Sequence, residues 1–94
     1  MDTARFEVFG RVQGVGFRYF AQLQAVALGL RGTVRNRSDG AVEVHAAGPT
    51  AALQKLEQHL RTGPRGAIVT QVQRSAWPLP PAEMATVQGF TIVE

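Results

Sequence analysis

Cysteine is absent from the 94-residue chain. No disulfide can form, and covalent catalysis through a thiol is excluded. Lysine is scarce as well: Lys55 stands alone among ten basic residues, the other nine being arginine. Coding bias accounts for that ratio, since alanine is also abundant. The net charge of +3 nevertheless gives a modest positive field that favours an anionic ligand. It is too weak and dispersed to indicate nucleic acid. No apolar run approaches the roughly 20 residues of a membrane-spanning helix. Met1-Asp2-Thr3-Ala4-Arg5 lacks the basic and apolar regions of a secretory signal. Neither His45 nor His59 has a Cys, Asp or Glu at metal-ligand spacing. These absences predict a soluble cytoplasmic protein without a metal site, and a monomer with no membrane or nucleic-acid partner.

What is present reads as one domain over residues 1–94, with no linker and no repeat. Residues 4–12 alternate, with Phe6, Val8 and Val12 on one side and Arg5, Glu7 and Arg11 on the other, which predicts a half-buried strand. Phe20, Leu23, Val26 or Ala27, and Leu30 recur at helical spacing, with Gly29 as a stop. A strand through Thr33–Asn36 leads into the turn Ser38-Asp39-Gly40, and Val42, Val44 and Ala46 alternate in the returning strand. In that strand Glu43 is expected at the surface and His45 on the polar face. Gly48-Pro49-Thr50 opens a second helix with the stripe Leu53, Leu56 and Leu60 and a Glu57–Arg61 pair four apart. Gly63-Pro64 ends it. A strand from 67 to about 76, a loop at Pro78, Pro80 and Pro81, and a short strand over 89–93 complete the order. Trp77 reads as a packing residue at a strand end. The pattern predicts an α/β (α+β) fold, a ferredoxin-like βαββαβ sandwich. Its mainly antiparallel sheet should carry two helices on one face and a short extra C-terminal strand.

The segment richest in chemistry is Gly10-Arg11-Val12-Gln13-Gly14-Val15-Gly16-Phe17-Arg18. Its glycines permit backbone conformations that other residues avoid. The loop runs into a helix N-terminus, where unpaired N–H groups and the helix dipole attract an anion. Arg18, in the first turn, adds a planar fork able to grip two oxygens. The ordinary alternative is a tight glycine turn with a surface arginine. Three other motifs are excluded. Tyr19 stands where a dinucleotide fingerprint needs its third glycine, and no Lys-Ser or Lys-Thr completes a Walker loop. Val8-Phe9-Gly10 and Gly14-Val15-Gly16-Phe17-Arg18-Tyr19-Phe20 echo the two aromatic motifs of an RNA-recognition domain. They lie too close together to occupy two central strands.

Val12-Gln13-Gly14-Val15-Gly16-Phe17-Arg18, then Gly32-Thr33-Val34-Arg35-Asn36 and Asp39-Gly40-x-Val42-Glu43, resemble the two signatures of the acylphosphatase family in order and spacing. The resemblance spans the whole chain, including Phe90-x-Ile92. Thr33 departs from it, since the family often has an aromatic residue there, but the position flanks the strand. The resemblance implies hydrolysis of acyl phosphates to carboxylate and inorganic phosphate, without metal or cofactor. It implies that Arg18 binds the phosphoryl group and that Asn36 orients the attacking water. The backbone N–H groups of Gln13, Gly14, Val15, Gly16, Phe17 and Arg18 form the implied phosphate cradle, for which inorganic phosphate, the product, competes.

The residue chemistry agrees with that implication. An acyl phosphate carries a good leaving group, so positioning and charge stabilisation suffice. No serine lies near the loop, and direct attack by water is the economical route. An asparagine amide can both accept from and donate to a water; its alternative role is that of a hairpin-end residue capping the turn. Phe17, Tyr19 and Phe20 are expected to divide between core and pocket rim. Two rival functions remain, a non-catalytic phosphate-binding module and a carbamoyl-phosphate-processing one, because a similar domain heads a large hydrogenase-maturation protein.

Overall fold

The alternation of residues 4–12 places Ala4, Phe6 and Val8 on one face of β1 (Asp2–Arg11), all fully buried. Residues 2–76 and 88–94 are described by the computed structural model. After β1 come α1 (Phe17–Ala27), β2 (Arg31–Asn36), β3 (Val42–Gly48), α2 (Thr50–Thr62), β4 (Ile68–Ser75) and β5 (Phe90–Ile92). The strands form one sheet in the order β4-β1-β3-β2-β5, antiparallel except for the parallel pair β2–β5. α1 packs on β2, β5 and β3, while α2 packs on β1, β4 and β3. This is the ferredoxin-like arrangement with an extra strand beside β2. No helix among the described residues is long and apolar enough to cross a membrane. The expected proline loop and Trp77 lie outside the described residues.

The second helix buries Leu53, Leu56 and Leu60 as its stripe predicts, and Arg61 Nη2 bonds Glu57 Oε2 at 2.9 Å. The first helix differs from expectation. Its buried face is Phe17, Ala21 and Ala25, whereas Leu23 and Val26 are 49% and 58% exposed and Ala27 is exposed too. Phe20 is half-buried on the flank, edge-on to Phe17 with ring centroids 5.9 Å apart. The helix meets the sheet through the short methyls of two alanines, which allows close approach. The larger apolar residues therefore fall on the opposite side, since residues four apart share a face. Leu30 is buried as expected, although it lies beyond the helix.

The sheet face away from the helices carries charge. Glu43, expected at the surface, is buried. It stands directly opposite Glu7 of β1 and Arg35 of β2. Two carboxylates facing each other across a sheet repel. Arg37 relieves this by bonding Glu7 and approaching Glu43 Oε2 at 3.6 Å, and Arg35 Nε donates to Glu43 Oε1 at 2.9 Å. The pattern of one strand hides this burial, because the covering arginines come from its neighbour.

Burial opposes the charge on Glu43, but the Arg35 hydrogen bond and the fields of Arg35, His45 and Arg37 outweigh it and hold its carboxyl below the ordinary value. Asp39 is held low by its bond from Arg37. Burial pushes His45 below its ordinary 6.5, against the field of Glu43. All three groups bind protons less readily folded than unfolded. Their contribution is present above the unfolded pKa values and is lost as pH falls through the folded ones. Stability should therefore decline from about pH 6.5 downward, first through His45 and then through the carboxyls. Glu43 carries most of the carboxyl share, because water screens exposed Asp39. The urea midpoint is expected to fall monotonically between pH 7 and pH 3, with a shallower fall in Glu43→Gln. A midpoint that rises on acidification would contradict the network.

Candidate functional site

The loop that joins β1 to α1 and the last residue of β2 enclose a cavity of about 220 Å³. Its polar wall consists of Gly14, Gly16, Arg18 and Asn36, and its apolar wall of Val12, Phe17, Tyr19 and Ile92. Among the described residues no carboxylate lines it.

Local backbone conformation explains the loop. Gly14 and Gly16 both have φ of 77°, in the left-handed region. A Cβ on either would meet no protein atom within 4 Å, so conformation and not crowding selects glycine there. An L-residue in that region costs about 1–2 kcal/mol. Gly16 is the N-cap of α1 and supplies no side-chain cap, and the first turn has no acidic residue. The first helical bond runs from the Phe20 N–H to the Gly16 carbonyl at 3.0 Å. The N–H groups of Phe17, Arg18 and Tyr19 precede it and form the positive end of the helix dipole beside the cavity.

Arg18 adds a full charge at that end. Arg5, Arg35, Arg37, Arg61 and Arg74 all form ion pairs with carboxylates. Arg18 has no such partner among the described residues, so no described carboxylate neutralises its guanidinium. A half-buried, unneutralised arginine beside a helix N-terminus suits a dianionic group.

Asn36 enters from β2. It lies two residues beyond buried Val34 and so shares its face, the helix-covered side, opposite Val42 of β3. Its Oδ1 is buried and, among the described residues, has no hydrogen-bond donor. Such an orphaned acceptor costs about 1–3 kcal/mol and is uncommon in a native fold. The turn itself is closed by other groups. The Arg37 N–H donates to the Ala41 carbonyl at 2.8 Å, and the Ala41 N–H donates to Asp39 Oδ1 at 3.1 Å. Among the described residues no contact supports Asn36 as the residue that caps the turn.

Of the six loop residues named from the sequence, Gly14, Gly16, Phe17 and Arg18 line the cavity, whereas Gln13 and Val15 do not. Val15 packs against the core, and the Gln13 side chain reaches across to the hairpin after β2. Among the aromatic residues left unassigned, Phe17 is buried and Tyr19 is the exposed rim at 61%. Sequence reasoning did not place Val12 or Ile92 in the wall. Ile92 comes from β5, and no local pattern reveals that β5 adjoins β2. Among the described residues no group of three or more His, Cys, Asp or Glu could hold a metal ion.

Comparison with known proteins follows the same lines. The family model described as Acylphosphatase matches residues 4–92. The chain is 53% identical over 83 residues to an acylphosphatase of Xanthomonas euvesicatoria pv. vesicatoria, covering 88% of this chain and 94% of the relative. Its structure resembles the crystal structure of an acylphosphatase from Bacillus subtilis with a TM-score of 0.90, at 39% identity over the whole of both chains. It also resembles full-length HypF in the phosphate- and nucleotide-bound form, with a TM-score of 0.81 and 26% identity, but spans 12% of that chain. A loop motif, a strand motif, a shared fold and half-identical relatives agree, and the chain belongs to the acylphosphatase family of hydrolases.

Proposed function

We propose that the chain hydrolyses acyl phosphates by direct attack of water on a phosphoryl group held by Arg18 and the loop backbone. The observation that carries this reading is the meeting, in one cavity, of an unneutralised arginine, a helix N-terminus and an asparagine with an orphaned acceptor. The N–H groups of the loop that line the cavity, those of the first turn of α1 and the Arg18 guanidinium bind the equatorial phosphoryl oxygens, where charge must be stabilised during transfer. Asn36 Oδ1 accepts a hydrogen bond from the attacking water and fixes its direction. The water oxygen bonds to phosphorus as the bond to the acyl oxygen breaks. The electron pair leaves on the carboxylate, and the proton released by water remains on the phosphate product. A carboxylate is stable as a leaving group without protonation, so the step needs no general acid, metal ion or cofactor.

The higher identity to acylphosphatases that the chain nearly spans than to HypF, of which it spans 12%, favours this reading over a role as one domain of a larger protein. Purified protein in EDTA should hydrolyse benzoyl phosphate at an undiminished rate, with inorganic phosphate as a competitive inhibitor. Loss of activity in EDTA with recovery on adding a divalent ion would overturn the mechanism. Non-competitive inhibition would remove the loop from its role.

A further inference from the structure

Gln13 lies within the loop motif, yet its side chain does not face the cavity. Its Nε2 donates to the carbonyl oxygens of Arg37 at 2.8 Å and Ala41 at 3.0 Å. Both oxygens already have a partner inside the hairpin. The Arg37 carbonyl accepts from the Gly40 N–H at 3.2 Å, and the Ala41 carbonyl accepts from the Arg37 N–H at 2.8 Å. The turn is therefore complete without Gln13. What the two added bonds do is join the glycine loop to the hairpin, at the residue that directly follows Asn36. One planar amide holding two separate oxygens fixes both distance and orientation, and the contact is partly shielded from water.

We propose that the Gln13 side chain is a positioning residue that sets the separation between the phosphate-binding loop and Asn36. This rests on the hydrolytic reading above. The loop holds the phosphoryl group and β2 holds the group that directs water, and a small misplacement of one against the other is costly to rate. Gln22 makes a comparable tie on the other flank, donating from α1 to the Phe90 carbonyl at 2.9 Å, but that bond reaches β5 and not Asn36.

The test is Gln13→Met, which keeps the length of the side chain and removes both donors, made in the wild-type and Asn36→Ala backgrounds. With benzoyl phosphate, kcat in the wild-type background is expected to fall about tenfold. KM and the inhibition constant of inorganic phosphate should change less than about twofold, since the Gln13 backbone N–H remains. In the Asn36→Ala background the same substitution should change kcat by less than about twofold, because a residue that acts through Asn36 has nothing left to position. An equal loss in both backgrounds, or unchanged kcat in the first, overturns the assignment. If the wild-type chain itself does not hydrolyse benzoyl phosphate, it is the hydrolytic reading that fails. Gln13→Glu serves where Gln13→Met does not fold. Its carboxylate would face two carbonyl oxygens without a donor, and protonation restores one, so its kcat relative to wild type should rise as pH falls from 7.5 to 5. A flat ratio overturns the proposal.

Discussion

Arg18→Lys is expected to lower kcat/KM for benzoyl phosphate by about 10²–10³-fold, the range for removal of one preorganised donor. Lysine keeps the charge beside the α1 N-terminus. It loses the planar fork that, in the proposed mechanism, meets two phosphoryl oxygens at once. The change is a clean one, because Arg18 makes no ion pair with the described residues and is only half-buried. Its replacement should move the urea midpoint within the narrow range of a surface substitution, about 0.5 kcal/mol either way. Loss of rate at constant stability is thus the expected combination. Near-normal turnover would reduce Arg18 to a solvent-facing cation that merely follows a glycine turn.

Asn36→Ala is expected to reduce kcat by about 10²-fold while leaving competition by inorganic phosphate nearly unchanged. In the proposed mechanism phosphate binding and water orientation draw on different contacts, and only the second involves this amide. The Asn36 Oδ1 has no hydrogen-bond donor among the described residues. Alanine breaks no hydrogen bond to a described residue, so the stability change should stay within about 1 kcal/mol. The urea midpoint should move little. Full turnover with a lowered midpoint would make Asn36 a structural residue, and weaker phosphate inhibition would move it into the phosphate cradle.

Local patterns in the sequence carried β1, β3 and α2 well, because each pairs large apolar residues with one clear period: Phe6 and Val8, Val42 and Val44, Leu53, Leu56 and Leu60. α1 escaped the same reasoning. Leu23 and Val26 outweigh Ala21 and Ala25 on any hydrophobicity scale, whereas the sheet selects the smaller pair for close approach. Glu43 escaped because its covering charges, Arg35 and Arg37, lie across the hairpin. The loop half of the candidate site was legible, since a glycine loop that opens a helix is contiguous in the chain. Asn36 was found through a family resemblance and not from its own surroundings. Tyr19 was left unsorted, and Ile92 depends on the placement of β5 beside β2, a long-range pairing that no window of residues encodes.

That strand order also governs how the chain must fold. β1 is the first strand and lies between β3 and β4, so that Arg5 pairs with both His45 and Ser75. β5, the last strand, pairs with β2, bringing Phe90 to Gly32. Of the four strand pairings, β1–β3, β1–β4 and β2–β5 thus close long loops before they are rewarded, while β2–β3 is a local hairpin. Such topologies fold more slowly than helical bundles, whose contacts are mostly local. On the ribosome the β1–β3–β2 ribbon can form early, but its outer edges stay bare until β4 and β5 emerge. The cavity is completed last, when Ile92 of β5 reaches the wall already holding Arg18 and Asn36. A nascent chain therefore gains its candidate catalytic pocket only as the final strand docks.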